Sequence, residues 1–302
     1  MRVLAVVVTH NRSKLLQRCI KNIELQTKKP DEILIVNNGS TDNTLDVLSN
    51  LDVSVISQSN VGSAGGWHTG IKYALKNDFD AVWMMDDDGY PDHRALHHLS
   101  SKLSNDCSIS CISSLVLRED KKENFVFRLP KLNKNFIPIL FGFRRKYRNL
   151  KQLSKNIKGD TYPWAHLFNG ALIPTSALKN IGNVNSDYFI FGEEVDFFFR
   201  LRDRGEVVSH LSAWHYHPDV SKRPYTDVKT YYCIKNTMII YRKFYDFVLI
   251  RRVLGLIAIL LRVFYRNGVI NSIMLVLGSN SGLLYRATVK GFLGSPGKDF
   301  NV

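Results

Sequence analysis

Residues 82–93 read VWMMDDDGYPDH. An apolar run, Val82 to Met85, stops at three adjacent carboxylates, Asp86, Asp87 and Asp88, and the turn residues Gly89 and Pro91 follow. Three neighbouring negative charges repel one another, and the chain around them carries a net charge of +14. The run reads as a buried strand that delivers acids to the edge of a sheet. In extended geometry Asp86 and Asp88, being alternate residues, point to the same side. Hard oxygens at that spacing suit Mg²⁺ or Mn²⁺, and magnesium is typically held by one or two carboxylates together with substrate phosphates. The competing reading is a solvated acidic turn. The rest of the chain decides between them.

Upstream, strands and helices alternate. Val3–Val8 is a continuous β-branched run, followed by THNR (9–12) and by helical spacing over Ser13–Gln26 with Ser13 as N-cap. Glu32–Val36 is a second strand and ends in NNGSTDNT (37–44). Thr44–Asn50 is a short helix, and Val53–Ser57 a third strand that ends in QSNVGSAGG (58–66). His68–Lys76 is helical, and Ala81–Met85 is the fourth strand. Such alternation with short connections predicts a parallel α/β sheet, and ligands of these sheets gather at the carboxyl ends of the strands. THNR, NNGS, SNVGSAGG and DDDG should therefore share one crevice.

Other phosphate-binding designs are missing. The chain has no GxxxxGK[ST] loop, and VGSAGG is not a GxGxxG after the first strand, which argues against a nucleotide hydrolase or a dehydrogenase. THNRSK also lacks the glycines that a nucleotidyltransferase carries after its first strand.

The length of 302 residues allows one large domain or a domain with an appendage, and 45% apolar residues exclude a disordered chain. Cys19, Cys107, Cys111 and Cys233 form no dense framework and read as reduced thiols of a cytoplasmic protein. The N-terminus enters a strand directly, without a signal peptide, and no apolar segment is long enough to span a bilayer.

Together, THNR, NNGSTDNT, NVGSAGGW (60–67) and MDDDGYP resemble family 2 inverting glycosyltransferases, in this order and over roughly residues 1–220. NVGSAGGW with WMMDDDGYP is most similar to galactofuranosyltransferase-type members, then to rhamnosyltransferase-type members. The resemblance implies the GT-A fold: α/β, a Rossmann-like nucleotide-diphospho-sugar transferase with a mixed sheet flanked by helices. It implies that Thr9, His10, Asn11 and Arg12 border the nucleotide and that Asn37 and Asn38 match a pair, often containing Asp, that contacts uridine. Asn60, Gly62, Gly65 and Gly66 match the loop beside the nucleotide sugar, and Trp67 lines that pocket or belongs to the core. Asp86 and Asp88 match the metal-binding DxD, and Asp87 the contact to donor ribose or sugar. His215 in WHYH (214–217) matches a histidine that completes the metal site, with His217 second.

GEEVD (192–196) matches the family's acidic base motif before a helix. Glu194 is the expected general base, Glu193 a base or a ligand of acceptor hydroxyls, and Asp196 an acceptor-orienting or helix-capping acid. One of the three is accounted for by the helix macrodipole alone. Trp164 in YPWAHLFNG either stacks on a sugar or sits in the core. The implied cofactor is Mn²⁺ or Mg²⁺. The implied partners are a UDP-sugar donor, or dTDP-rhamnose for the rhamnosyltransferase type, and a lipid-linked or polysaccharide acceptor.

These motifs give a catalytic domain over 1–225 and a helical region over 226–302. Between them the pattern weakens, and the basic stretch 141–159 reads as a loop or lid. From Arg242 to Val302, nine Lys or Arg face only Asp246 and Asp299, half of the net charge in about a fifth of the chain. A basic tail implies an anionic partner. On a helix wheel Arg251, Arg252, Arg262 and Arg266 share a sector of roughly 100°, and the other faces are apolar. The helices pack either on their own domain or a partner subunit, as in a homo-oligomer, or on anionic lipid. The second places the protein peripherally on the inner face of the plasma membrane. A nucleic-acid-binding protein is the reading from another class. FGFRRKYR (141–148) offers a little of the interleaving it needs, but acids in the crevice argue against nucleic acid as a partner.

Overall fold

A computed structural model of the chain describes residues 1–277, 281–294 and 296–300. It divides into two units, residues 1–184 with 197–219, and residues 185–196 with 220–302.

The first unit follows the alternation: β1 (Val3–Thr9), α1 (Ser13–Glu24), β2 (Glu32–Asn38), α2 (Thr44–Leu48), β3 (Ser54–Gln58), α3 (Gly62–Lys76) and β4 (Ala81–Asp86). Then come β5 (Tyr90–Pro91), α4 (Ala95–Asn105), β6 (Ile109–Arg118), β7 (Asn124–Pro130), β8 (Lys146–Asn149), α5 (Leu150–Ser154), β9 (Thr161–Tyr162), β10 (Asn169–Pro174) and α6 (Thr175–Ile181). After α7 (Glu193–Arg202), β11 (Glu206–His217) returns to the sheet. The strand order is β3-β2-β1-β4-β10-β6-β11-β5. β3, β2, β1 and β4 run parallel, whereas β10 enters antiparallel between β4 and β6, so the sheet is mixed.

β1 is buried along its whole length because helices cover both faces. Leu16, Cys19, Ile20 and Ile23 of α1 join Val3, Ala5 and Val7 in one core. On the opposite face α3 lies unusually close. A Cβ on Gly66 would stand 2.6 Å from Val8 Cγ1, and one on Gly70 2.4 Å from Val6 Cγ1. The helix begins six residues earlier than the sequence suggests, so the glycine-rich segment forms its first turns. These glycines cost helix propensity, and the gain is contact between helix and sheet. Ser13 is not the N-cap of α1; it is the first helical residue, and its hydroxyl donates to Asn43 at 2.7 Å. The basic stretch 141–159 is not wholly loop, since β8 pairs with β7 and α5 follows.

The second unit contains α8 (Asp227–Phe244), α9 (Val248–Asn267), α10 (Val269–Leu277) and α11 (Ser281–Leu293). Its core gathers Tyr231, Tyr232, Ile234 and Met238 of α8 with Ile259 and Val263 of α9 and Ala287 of α11. The expected interruption GSNSG begins at 278, and residues 278–280 lie outside the described residues. No helix among the described residues is long and apolar enough to cross a membrane.

The packing of α9 splits its basic sector. Arg251 and Arg252 are buried, while Leu249, Ile250, Val253, Leu254, Ile257, Leu261, Phe264 and Tyr265 are exposed. Arg262 is exposed and Arg266 half-buried, so only the first two arginines face inward. Arg251 pairs with Asp246, its Nε 2.9 Å from Oδ1, and Arg252 Nε donates to the Met238 carbonyl at 3.1 Å.

Candidate functional site

Parallel register brings the strand ends together. Thr9 lies opposite Asn37, Val8 opposite both Val36 and Asp86, and Asn38 opposite Gln58. β1, β2, β3 and β4 therefore present Thr9, Asn37, Asn38, Gln58 and Asp86 along one edge, the crevice expected of such a sheet.

Two of the three aspartates there, Asp87 and Asp88, are held by cations and a hydroxyl of the chain itself. Arg12 Nη1 lies 2.9 Å from Asp87 Oδ1 and 2.9 Å from Asp88 Oδ2. Thr9 Oγ1 donates to Asp87 Oδ2 at 2.7 Å, and His217 Nε2 is 3.0 Å from Asp88 Oδ1. Arg18 adds a donor to the Asp88 carbonyl at 2.9 Å. Asp87 and Asp88 are buried, whereas Asp86 is partly accessible. Burial holds the Asp87 carboxyl above the usual range, against the opposing pull of Arg12 and Thr9. For Arg12 burial pulls the other way, but Asp87 and Asp88 outweigh it and the guanidinium stays above its ordinary value.

The two histidines of WHYH differ in reach, opposite to the order expected from the sequence. His217 contacts Asp88. His215 is fully buried, and a Cβ on Gly89 would stand 2.2 Å from its Nε2, so the backbone at Gly89 lies directly over the ring. Both ring nitrogens of His215 lack a hydrogen-bond partner among the described residues. Burial, with His217 nearby, lowers its pKa to about 3, so the ring is neutral. Among the described residues no three or more His, Cys, Asp or Glu side chains already converge on one point. The donors nonetheless suit a hard divalent cation: two carboxylates at alternate positions and a neutral imidazole with unused nitrogens.

The asparagines at the strand ends tie loops together. Asn11, at φ 53°, accepts from the Thr41 amide at 2.7 Å and the Asp42 amide at 3.3 Å. Asn37 accepts from the Ser40 amide at 3.1 Å. Asn38 donates to the Gly62 carbonyl at 3.0 Å and accepts from the Val61 amide at 3.3 Å, and Asn60 Oδ1 accepts from the Gly62 amide at 3.0 Å. His10 Nδ1 lies 3.1 Å from the Asn38 carbonyl.

Gly65, Gly66, Trp67 and Trp164 each have a packing role. The room left by Gly66 is filled by Val8, and a Cβ on Gly65 would meet Val61 Cγ2 at 2.4 Å. Trp67 is wholly buried and stacks on Phe168 with centroids 4.6 Å apart. Trp164 is 9% exposed and packs on Phe198 at 4.5 Å. Large flat apolar side chains are drawn into the core by the area they remove from water.

In the second unit, the acids of GEEVD open α7. Glu193 and Asp196 are buried and Glu194 is half-buried. Asp196 is committed to Lys243 Nζ at 2.6 Å, with the Tyr188 hydroxyl at 3.4 Å, so it anchors the turn. The preceding backbone is strained: Phe189, Phe191 and Gly192 all have positive φ, at 62°, 61° and 91°. Asn236 of α8 holds it. Its amide nitrogen lies within hydrogen-bond distance of the carbonyls of Tyr188 at 2.9 Å, Ile190 at 2.9 Å and Phe191 at 2.7 Å, which share its two N–H groups. Asn236 was not foreseen, nor was the grip of Arg12 on two aspartates; a lone polar residue in a helix and a side chain's reach leave no pattern in sequence.

Comparison with known proteins adds three findings. Residues 4–168 match the model of Glycosyl transferase family 2. Galactofuranosyltransferase GlfT1 of Mycobacterium tuberculosis (strain ATCC 25618 / H37Rv) is 31% identical over 224 residues, 72% of this chain and 70% of that one. The GlfT1 of Mycolicibacterium smegmatis is 29% identical over 221 residues, 72% and 70% of the two chains. Among solved structures, the mannosyltransferase PcManGT from Pyrobaculum calidifontis, in complex with GDP-Man and Mn²⁺, matches with a TM-score of 0.56 at 16% identity, covering 97% of this chain and 88% of that one. S. aureus TarS 1-349 in complex with UDP matches with a TM-score of 0.56 at 15% identity, over 97% and 80%. The fold is that of GT-A glycosyltransferases.

Proposed function

The chain belongs to glycosyl transferase family 2, and from that premise we propose that it moves galactofuranose from UDP-galactofuranose onto a lipid-linked or polysaccharide acceptor, with inversion in a single displacement. The observation that carries this reading is the cluster of Arg12, Thr9, Asp86, Asp87 and Asp88 at the carboxyl ends of β1 and β4. Its chemistry suits an anionic diphosphate beside a cation, and the galactofuranosyltransferase relatives point to the donor sugar.

In this reading Asp86 and Asp88 hold Mn²⁺ or Mg²⁺, with His217 or His215 as nitrogen donor. When bound, the cation supplies charge neutralisation to the departing diphosphate. Arg12, released from Asp88, offers its guanidinium to phosphate oxygens. Asp87, kept by Thr9, orients donor ribose or sugar. Thr9, Asn11, Asn37, Asn38 and Asn60 shape the nucleotide end of the crevice. Glu194, the most accessible acid of the α7 turn, takes the proton of the acceptor hydroxyl as the anomeric carbon is attacked. Glu193 contacts acceptor hydroxyls. The reaction takes place at the cytoplasmic face of the plasma membrane.

A donor panel tests this. UDP-galactofuranose with Mn²⁺ and acceptor releases UDP, and Glu194→Gln lowers the rate by about 10²–10⁴-fold. Turnover with dTDP-rhamnose alone moves the assignment to a rhamnosyltransferase, and full transfer by Glu194→Gln removes Glu194 as base.

A further inference from the structure

The second unit turns a helix inside out. On α9 the exposed positions Ile250, Leu254, Ile257, Leu261, Phe264 and Tyr265 follow helical spacing and form one continuous apolar stripe. From Ile250 to Tyr265 that stripe runs about 22 Å along the helix. α10 continues it with Ile270, 78% exposed, and Ile273, 51% exposed. Water-facing stripes of this size mark interaction surfaces.

Two arginines that would make the stripe polar, Arg251 and Arg252, have been turned inward. Arg252 donates to the carbonyls of Met238 and Gly291, at 3.1 and 3.3 Å, and its guanidinium lies 4.6 Å from the centre of the Phe292 ring. Gly255 lets α9 approach α8 closely, since a Cβ there would stand 2.6 Å from Tyr241 Cε2. The outer face keeps Arg262 as its exposed charge, beside the half-buried Arg266.

The exposed charges are mostly positive, with Asp187 and Asp227 the exposed acids of the unit among the described residues. Arg242, Arg262, Arg286 and Lys298 are accessible. From residue 228 onward the carboxylates are Asp246 and Asp299. The first is paired with Arg251 and the second with Lys235 and Lys290. A second copy docking through this face would bring a surplus of like charges together, with few acids to match them. An anionic bilayer supplies both what the stripe and what its cations require.

We infer that the apolar stripe of α9 and α10 lies in the headgroup boundary of an anionic lipid bilayer, with its apolar side chains inserted and Arg242, Arg262, Arg286 and Lys298 contacting lipid phosphate. This deepens the membrane-side reaction proposed above and rests on it only for its biological purpose. The binding follows from apolar area and charge, and none of the helices is inserted across the membrane.

Flotation of the full chain with phosphatidylcholine vesicles, with and without phosphatidylglycerol, tests the surface. The wild type floats with the anionic vesicles and much less with the neutral ones. Leu254→Asp/Ile257→Asp/Leu261→Asp loses more than about tenfold in partitioning, because three inserted side chains become charged. Arg262→Glu/Arg286→Glu retains the fold and loses the preference for phosphatidylglycerol. UDP binding, measured on every variant by calorimetry, reports a folded crevice separately. Wild-type protein that stays out of the vesicle fraction overturns the proposal. So does a triple variant that floats unchanged, or a dimer that this variant dissolves while vesicles are ignored. Vesicle binding without UDP binding would leave the surface standing and sink the transferase reading instead.

Discussion

The Arg12 guanidinium lies 2.9 Å from Asp88 Oδ2, and through the same nitrogen 2.9 Å from Asp87 Oδ1. A residue from the end of the first strand thereby neutralises acids at the end of the fourth, 75 and 76 positions later in the chain. Arg12 is about one-third exposed and the acids are nearly buried, so removing the cation leaves charges that water does not reach.

Arg12→Gln should therefore lower stability by about 1–3 kcal/mol, discounted for the exposed side of the pair. MnCl₂ should recover part of the loss, because the ion takes the vacated charge. Thermal melts with and without the salt decide this, and an unchanged midpoint in either condition speaks against the charge balance described.

Asn236→Ala removes the two N–H donors shared by three carbonyls of the strained turn before Glu193 and Glu194. The expected cost is about 2–4 kcal/mol, since buried carbonyls lose their partner. If the turn positions the base, kcat falls by at least about tenfold while the donor KM changes little. A fall in stability with kcat intact would confine Asn236 to folding.

Gly66→Ala places a methyl where Val8 Cγ1 already stands. The expected destabilisation is about 1–3 kcal/mol, from overpacking between α3 and β1. Combining it with Val8→Ala should cost less than the sum of the single changes, as contacting residues do. Denaturant unfolding of the four proteins measures the coupling, and strict additivity would place the strain elsewhere.

His166 is half-buried, and desolvation, with a smaller contribution from Lys146, lowers its pKa from 6.5 to about 4. A proton is then taken up by the unfolded chain before the folded one. Stability is fully present above the unfolded value of 6.5 and falls as pH drops from there toward 4, by about 1.4 kcal/mol per pH unit. Between pH 7 and 5, His166→Gln should lose about 2 kcal/mol less than the wild type. Equal slopes for the two proteins would remove His166 as the titrating group.

Much of the crevice was legible in advance. An apolar run ending in Asp86–Asp88, after three earlier runs that end in polar clusters, states both a parallel sheet and the edge where its ligands gather. The antiparallel entry of β10 was not legible, because an apolar six-residue strand reads the same in either direction. Nor was the fate of the glycines and tryptophans. Gly66 and Trp67 occur in a motif that suggests a ligand loop, but the face of a helix they occupy is fixed only when α3 settles on β1.

By itself, the sequence determined the strand ends, the family and the acids that chemistry can use, because period, turn residues and charge are local properties of the chain. Only the tertiary structure decided which of them touch. It set Arg12 rather than solvent on Asp87 and Asp88, reached His217 rather than His215 to Asp88, and turned Arg251 and Arg252 of α9 inward while its apolar side met water. Those outcomes depend on distances between residues far apart in sequence, and such distances exist only once the elements have packed.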